Sequence, residues 1–180
     1  MLTLENGRPA DVAGRLEKER RVYDLLDRLQ IDYYRVDHGP VMTIAACEEV
    51  DQVLGLPVCK NLFLCNRQKT SFYLLLLPGG KKFNAKALTG QQGLPKLSFA
   101  NERYLAEFLD ITPGSVSVMG LMNDHDGQVT LLIDKSLLQD EYIACHPCIN
   151  TSTLRFSMKD LLDAVLPAVQ HTPLFVELPD

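Results

Sequence analysis

The sequence predicts a single α/β (α+β) domain over residues 1–180, with a mixed, largely antiparallel sheet and helices packed outside it. Three observations carry that expectation. A chain of 180 residues can bury one sizeable core but is small for two. Segments of helical and of strand periodicity alternate along it. The strand-like segments also come in adjacent pairs with no helix between them, which favours hairpins over successive parallel crossovers.

Taken in order, Ala10 to Leu29 places Val12, Leu16, Val22, Leu25, Leu26 and Leu29 at helical spacing among charges, the mark of a helix packing one stripe inward. Ile31 to Val36 reads as a strand closed by the turn Asp37-His38-Gly39-Pro40. Thr43 is placed to cap a second helix running through Val53, and Gly55 to stop it. Two strands follow, Asn61 to Cys65 and Ser71 to Leu77, joined by a polar turn, and Pro78-Gly79-Gly80 ends the second. A short helix from Asn84 and a strand near Leu97-Ser98-Phe99 lie in the one local basic excess, formed by Lys81, Lys82, Lys86 and Lys96. Asn101 caps a helix ending at Leu109, with Tyr104, Leu105 and Phe108 as its stripe. Val129 to Ile133 is an apolar strand after the turn Asn123-Asp124-His125-Asp126-Gly127. Ser157 and Asp160 form a variant capping box ahead of Leu161, Leu162, Val165 and Leu166. The tail from Pro167 is expected to be irregular.

Composition narrows the function classes. There are 18 basic and 23 acidic residues, a net charge of −5, which argues against a broad sequence-independent grip on nucleic acid but leaves room for holding an RNA end. No apolar run approaches a membrane span and no secretory signal is evident at the N-terminus. Five cysteines without such a signal point to free thiols in a reducing, cytoplasmic setting.

Chemistry concentrates between Thr112 and Thr153. Gly114 and Gly120 flank Ser115-Val116-Ser117-Val118-Met119, so bare backbone N–H groups can approach a ligand there. The run matches neither a phosphate-binding loop nor a nucleophile elbow, and taken alone it reads as the flank of a strand. His146, in the loop Cys145-His146-Pro147-Cys148, is either a hydrogen-bonded structural group or a pocket residue. Cys145 and Cys148 lack the further ligands of a structural zinc site and the strand-to-helix setting of a redox pair. Lys60 precedes the apolar run Asn61-Leu62-Phe63-Leu64; it is either an edge charge that discourages aggregation or a cation at a pocket mouth. Cys59 beside it is a conceivable nucleophile without a visible base.

Together these pieces resemble the freestanding prolyl-tRNA-editing family, relatives of the editing domain inserted in bacterial prolyl-tRNA synthetases, and within it the alanyl-tRNA(Pro) deacylase branch. The residues that carry the likeness are Lys60-Asn61-Leu62-Phe63-Leu64, Thr112-Pro113-Gly114-Ser115-Val116-Ser117, Gly120-Leu121-Met122-Asn123-Asp124 and His146-Pro147 with Asn150-Thr151-Ser152-Thr153. The likeness spans nearly the whole chain in the expected order. It departs at Val118-Met119, where relatives commonly carry a Pro that would restrict the loop.

The resemblance implies a curved sheet partly closed into a barrel. It also implies a metal-independent, cofactor-free hydrolase that cleaves the ester between a wrong amino acid and the 3′ adenosine of tRNA(Pro), with water as nucleophile. Lys60, Gly114 and His146 are then the catalytic candidates; Asn61, Met42, Ser117, Met119 and Asn150 the substrate-binding ones; Lys81, Lys82 and Lys86 the phosphate contacts. The implied partner is a tRNA(Pro) acceptor end carrying a small amino acid, with prolyl-tRNA synthetase as a further candidate and neither DNA nor membrane. A proline-sized pocket cannot strongly reject alanine, because missing methylenes are worth only about 1–3 kcal/mol, so a second, smaller site has a purpose. The competing reading is a non-catalytic member of the same fold that binds aminoacyl-tRNA or an amino acid as a regulator.

Overall fold

The computed structural model describes residues 1–40 and 44–180, with Ile44 described in its backbone alone. Met42 and Thr43, expected as a pocket wall and a helix cap, lie outside the described residues.

In chain order the elements are β1 (Leu4–Asn6), α1 (Glu17–Arg28), β2 (Tyr33–Asp37), α2 (Ile44–Leu54), β3 (Lys60–Cys65) and β4 (Phe72–Leu77). There follow α3 (Ala85–Leu88), β5 (Ser98–Phe99), α4 (Glu102–Leu109), a 3-10 segment Val118–Asn123, β6 (Val129–Asp134) and β7 (Tyr142–Cys145). The chain then forms β8 (Ser152–Ser157), α5 (Met158–Asp160), a π-helical turn Leu161–Val165, α6 (Leu166–Ala168) and β9 (Leu174–Val176).

The strands form two sheets. One is wholly antiparallel, in the order β1-β2-β8-β7; the other runs β5-β3-β4-β6-β9, with β4, β6 and β9 parallel. Alternation along the strands sorts side chains between two cores. From β3, Phe63 and Cys65 enter the large core shared with α1, α4 and the first sheet. Leu62 and Leu64 point the other way, toward Leu88, Leu94 and Leu97 of the segment that covers the outer face. β4 is central and covered on both faces, which is why Phe72-Tyr73-Leu74-Leu75-Leu76-Leu77 is an unbroken apolar run. α2 packs Val50 and Leu54 against Val36 and Ala144 on the far side of the first sheet.

Four expectations need correction. Neither sheet closes into a barrel; β1, β5 and β9 are edge strands of only two or three residues, too short to extend a ladder around. The first helix begins at Glu17, not Ala10, because Asp11 accepts the Ala13 N–H (2.9 Å) in a local turn that competes with helix. The stretch after Gly114 is not the flank of a strand but a turn leading into 3-10 helix, where Ser117 caps by accepting the Met119 N–H. The tail is ordered: α6 contains Pro167, β9 pairs with β6, and Val176 and Leu178 are buried in the outer core. Elsewhere Asn84, Asn101 and Ser157 cap their helices by accepting the N–H groups of Ala87, Arg103 and Asp160, and Gly55 ends α2 at φ +78°.

Candidate functional site

Three segments that are far apart in sequence meet at one cavity of about 480 Å³. Lys60 stands at the start of β3, Gly114 at the tip of the turn after α4, and His146 in the loop between β7 and β8; all three line it, together with Asn150, Asp51 and Thr153. A second hollow of about 270 Å³, bordered by Cys59, Asn61 and Val116, shares Lys60, Gly114 and His146.

Each of the three is held by identifiable contacts. Half-buried Lys60 donates from Nζ to the Lys81 carbonyl (2.5 Å), has no carboxylate partner among the described residues, and lines the cavity. Gly79 lets its backbone lie close against the segment before β3, since a Cβ there would stand 2.7 Å from the Val58 carbonyl oxygen. Gly114 has φ +88°, a conformation that L side chains rarely adopt. Its loop is clipped to β3 through Asn61, whose Oδ1 accepts from the Val118 N–H (2.9 Å) while Nδ2 donates to the Cys59 carbonyl (3.1 Å).

The imidazole of His146 is oriented from behind. Nδ1 lies 2.8 Å from the Ser152 carbonyl, which can only accept, so Nδ1 carries the proton and Nε2 of the neutral ring keeps its lone pair. Burial pushes the His146 pKa below its usual value, against the hydrogen bond to Ser152, which pulls it up, and with the help of nearby His38. His38 lies with its ring centroid 6.2 Å away, its Nδ1 on the Gly39 carbonyl and its Nε2 2.8 Å from the Thr153 hydroxyl. Asp51 accepts from the Val58 N–H (3.0 Å) and is the one carboxylate lining the cavity among the described residues; burial raises its pKa, the Val58 hydrogen bond opposes that, and Glu48 adds to it.

The sequence-predicted residues divide into groups. Lys60, Gly114, His146 and Asn150 share the main cavity, and Asn61 borders the smaller hollow. Ser117 is fully buried; its Oγ donates to the His146 carbonyl (2.5 Å) and accepts from the Met119 N–H, so it is a strut behind the cavity and not a substrate contact. Met119 is buried in the large core and forms no wall of the cavity. Gly120 serves packing, since a Cβ there would lie 2.5 Å from Ile111 Cδ1 and 3.1 Å from Leu109 Cβ. Lys82 and Lys86 are exposed. Lys81 is not available to a phosphate: its ammonium bonds Asp134 (3.2 Å) and the Leu178 carbonyl (2.7 Å), with a side chain only 12% exposed.

Sequence reasoning passed over Asp51, named Thr153 only within the family likeness and Gly79 only as the end of a strand, and left His38 ungrouped in its turn. The β2–β8 pairing, with Asp37 opposite Ser152, brings His38 beside Thr153.

Exposed Cys47 also lines the cavity, while Cys59, Cys145 and Cys148 are buried and poorly suited to act as nucleophiles. Burial pushes Cys59 and Cys148 up to about 12 and raises Cys145 as well, so all three stay protonated at neutral pH, and none is in a disulfide. Among the described residues no three His, Cys, Asp or Glu groups converge as metal ligands, and no helix is long and apolar enough to cross a membrane.

Comparison with known proteins converges on one family. Residues 38–164 match the model of the aminoacyl-tRNA editing domain. The chain is 34% identical over 163 residues to the prolyl-tRNA editing protein ProX of Acetoanaerobium sticklandii, an alignment covering 91% of this chain and 99% of that protein. It is 31% identical over 170 residues to the prolyl-tRNA synthetase associated domain-containing protein 1 of Danio rerio, covering 93% and 88%. A solved structure described as a candidate trans-editing enzyme for prolyl tRNA synthetase superposes with a TM-score of 0.66 over 91% of this chain and 99% of that one, at 18% identity, a likeness of fold alone.

Proposed function

The chain belongs to the aminoacyl-tRNA editing domain family, and on that footing we propose that it edits mischarged tRNA(Pro) in trans by hydrolysing the aminoacyl ester at the 3′ terminal adenosine. The observation that carries the reading is the convergence of Lys60, Gly114 and His146 on one cavity.

Attack of water on the ester carbonyl builds negative charge on its oxygen. The ammonium of Lys60 and the backbone N–H groups around Gly114 supply positive potential where that charge develops, in a site partly withdrawn from bulk water. The bare Nε2 of His146 accepts a hydrogen bond from the attacking water or from the substrate's 2′-hydroxyl, which orients that water. No protein nucleophile is called for, since Cys59 stays a thiol. The reaction is metal-independent in this scheme. The preferred acyl group is small, with alanine first; the Asp51 carboxylate faces the same cavity and suits the α-ammonium group.

The test is release of amino acid from alanyl-tRNA(Pro) and from prolyl-tRNA(Pro) by the purified protein in the presence of a chelator. Hydrolysis of the first and sparing of the second is expected, and Lys60→Ala should abolish turnover with the melting temperature kept. Full activity in Lys60→Ala refutes the assigned role. A wild-type protein that binds the charged tRNA and hydrolyses none of it would make the chain a binding module.

A further inference from the structure

At the other end of β3 from the cavity lies a second hollow of about 620 Å³, with Arg67, Lys69 and Lys96 around it and Ser98 and Phe99 on its floor. We propose that this hollow is a second RNA contact, which grips the backbone phosphates and stacks a base of the strand whose 3′ end enters the Lys60 cavity. The proposal rests on the RNA-substrate reading above.

Charge points to it first. Between Asp51 and Glu102 the chain has seven basic residues and no acidic one, so the other eleven basic residues share the remainder with all 23 acidic residues. A protein of net charge −5 therefore keeps one segment uniformly positive, the arrangement that attracts a polyanion to one face.

The three cations are also free. Arg67, Lys69 and Lys96 are exposed, and among the described residues none has a carboxylate partner, whereas Arg8, Arg15, Arg35, Lys81, Lys135 and Lys159 all do. Their positions are fixed in advance. Asn66 Oδ1 accepts from the N–H groups of Thr70 (2.9 Å) and Ser71 (3.1 Å), and its Nδ2 donates to Thr70 Oγ1 (2.9 Å), which pins the turn that carries Arg67 and Lys69. The ladder pairing of Cys65 with Ser98 sets Lys96 across from them.

Phe99 decides between kinds of polyanion. It is 63% exposed, a large aromatic ring left in solvent beside three unpaired cations, which suits stacking under a nucleobase better than an acidic peptide. Its ring also meets Phe83 edge-on, with centroids 5.4 Å apart. Gly80 lines the cavity, exposed Lys82 and half-buried Phe83 follow it in the chain, and Phe83 touches Phe99 of the hollow, so the segment 80–83 links the two sites. The six residues of β3 set their separation at about 17 Å, within reach of a few nucleotides of single strand.

The test uses binding, so that it stands apart from catalysis. An unacylated fluorescent RNA hairpin with a single-stranded CCA 3′ end is titrated with the full chain, and anisotropy is followed across a salt series. Arg67→Glu with Lys69→Glu and Lys96→Glu should weaken the Kd at least about tenfold at low salt and reduce the slope of log K against log salt by about 2, from about 0.7 per lost contact. Phe99→Ala should weaken binding about tenfold with the slope kept. Melting curves show whether each variant is folded; Lys96→Gln alone, with about 0.7 off the slope, is the gentler arm should the triple variant unfold. An unchanged Kd and slope in folded variants overturns the proposal, as does a wild-type protein that does not bind the hairpin. Binding that follows the expected pattern without ester hydrolysis would overturn the editing reading and leave this one standing; hydrolysis with indifferent variants would do the reverse.

Discussion

Ser117→Ala separates a strut from a substrate contact. Ser117 is fully buried, and its hydroxyl serves two backbone groups at once, donating to the His146 carbonyl at 2.5 Å and accepting from the Met119 N–H at 3.1 Å. Alanine fills nearly the same space but leaves both groups without a partner where water cannot readily reach. Each orphaned group costs about 1–3 kcal/mol, and partial relaxation of the loop brings the pair to about 2–4 kcal/mol. In a domain of this size each kcal/mol moves the midpoint by about 2–4 °C, so the variant should melt about 5–15 °C lower. The damage should also reach function, because the His146 carbonyl is the anchor next to the imidazole: at a temperature where the variant is fully folded, kcat should fall more than KM rises. Thermal melts and steady-state deacylation on one preparation measure both. A melting temperature within 2 °C of wild type, combined with a raised KM, would refute the strut and restore Ser117 to the substrate-binding set.

Two more predictions follow from the same geometry. Gly114→Ala has room for its Cβ, 3.7 Å from Asn150 Nδ2, so its cost lies in the backbone at φ +88°, about 1–2 kcal/mol, with Gly114→Asn milder; urea titration should show that order, and activity should drop with the loop displacement. Burial holds the His146 pKa below its usual value, so the activity that needs bare Nε2 should persist as pH falls through 6.5 and decline only in more acid solution, and His146→Gln should remove that decline. The sign for stability is the same: the unfolded chain takes up the proton first, so unfolding becomes easier as pH falls below 6.5, which melts at stepped pH would register.

What could be seen from the residues and what could not divides on a physical line. β3, β4, β6 and α4 are legible because their signals are local: alternating or unbroken apolar runs, and an Asn that caps from within. β1 and β9 are three residues long and exist because a partner strand tens of residues away supplies the ladder, which no window of sequence contains, whereas β5, as short, is anticipated near Leu97-Ser98-Phe99. The site follows the same division. Lys60, Gly114 and His146 are visible by residue type but each carries an ordinary structural alternative, and the family likeness is what selects them. His38, Asp51 and Thr153 become site residues only through the β2–β8 pairing and the packing of α2. Lys81 and Met119 misled for the converse reason, since a long cation and a flexible thioether look available until the fold buries them.

The latch on Lys81 joins the C-terminal tail to the chemistry. The ammonium of Lys81 donates to the Leu178 carbonyl, and the backbone carbonyl of Lys81 accepts from the ammonium of Lys60. One lysine thus works as a two-ended coupling, with the end of the polypeptide on one side and the cavity's cation on the other. Whatever tugs at Leu178, whether a fused partner, a trimming protease or a neighbouring subunit, pulls on a cord whose far end is the cation proposed to meet the ester oxygen.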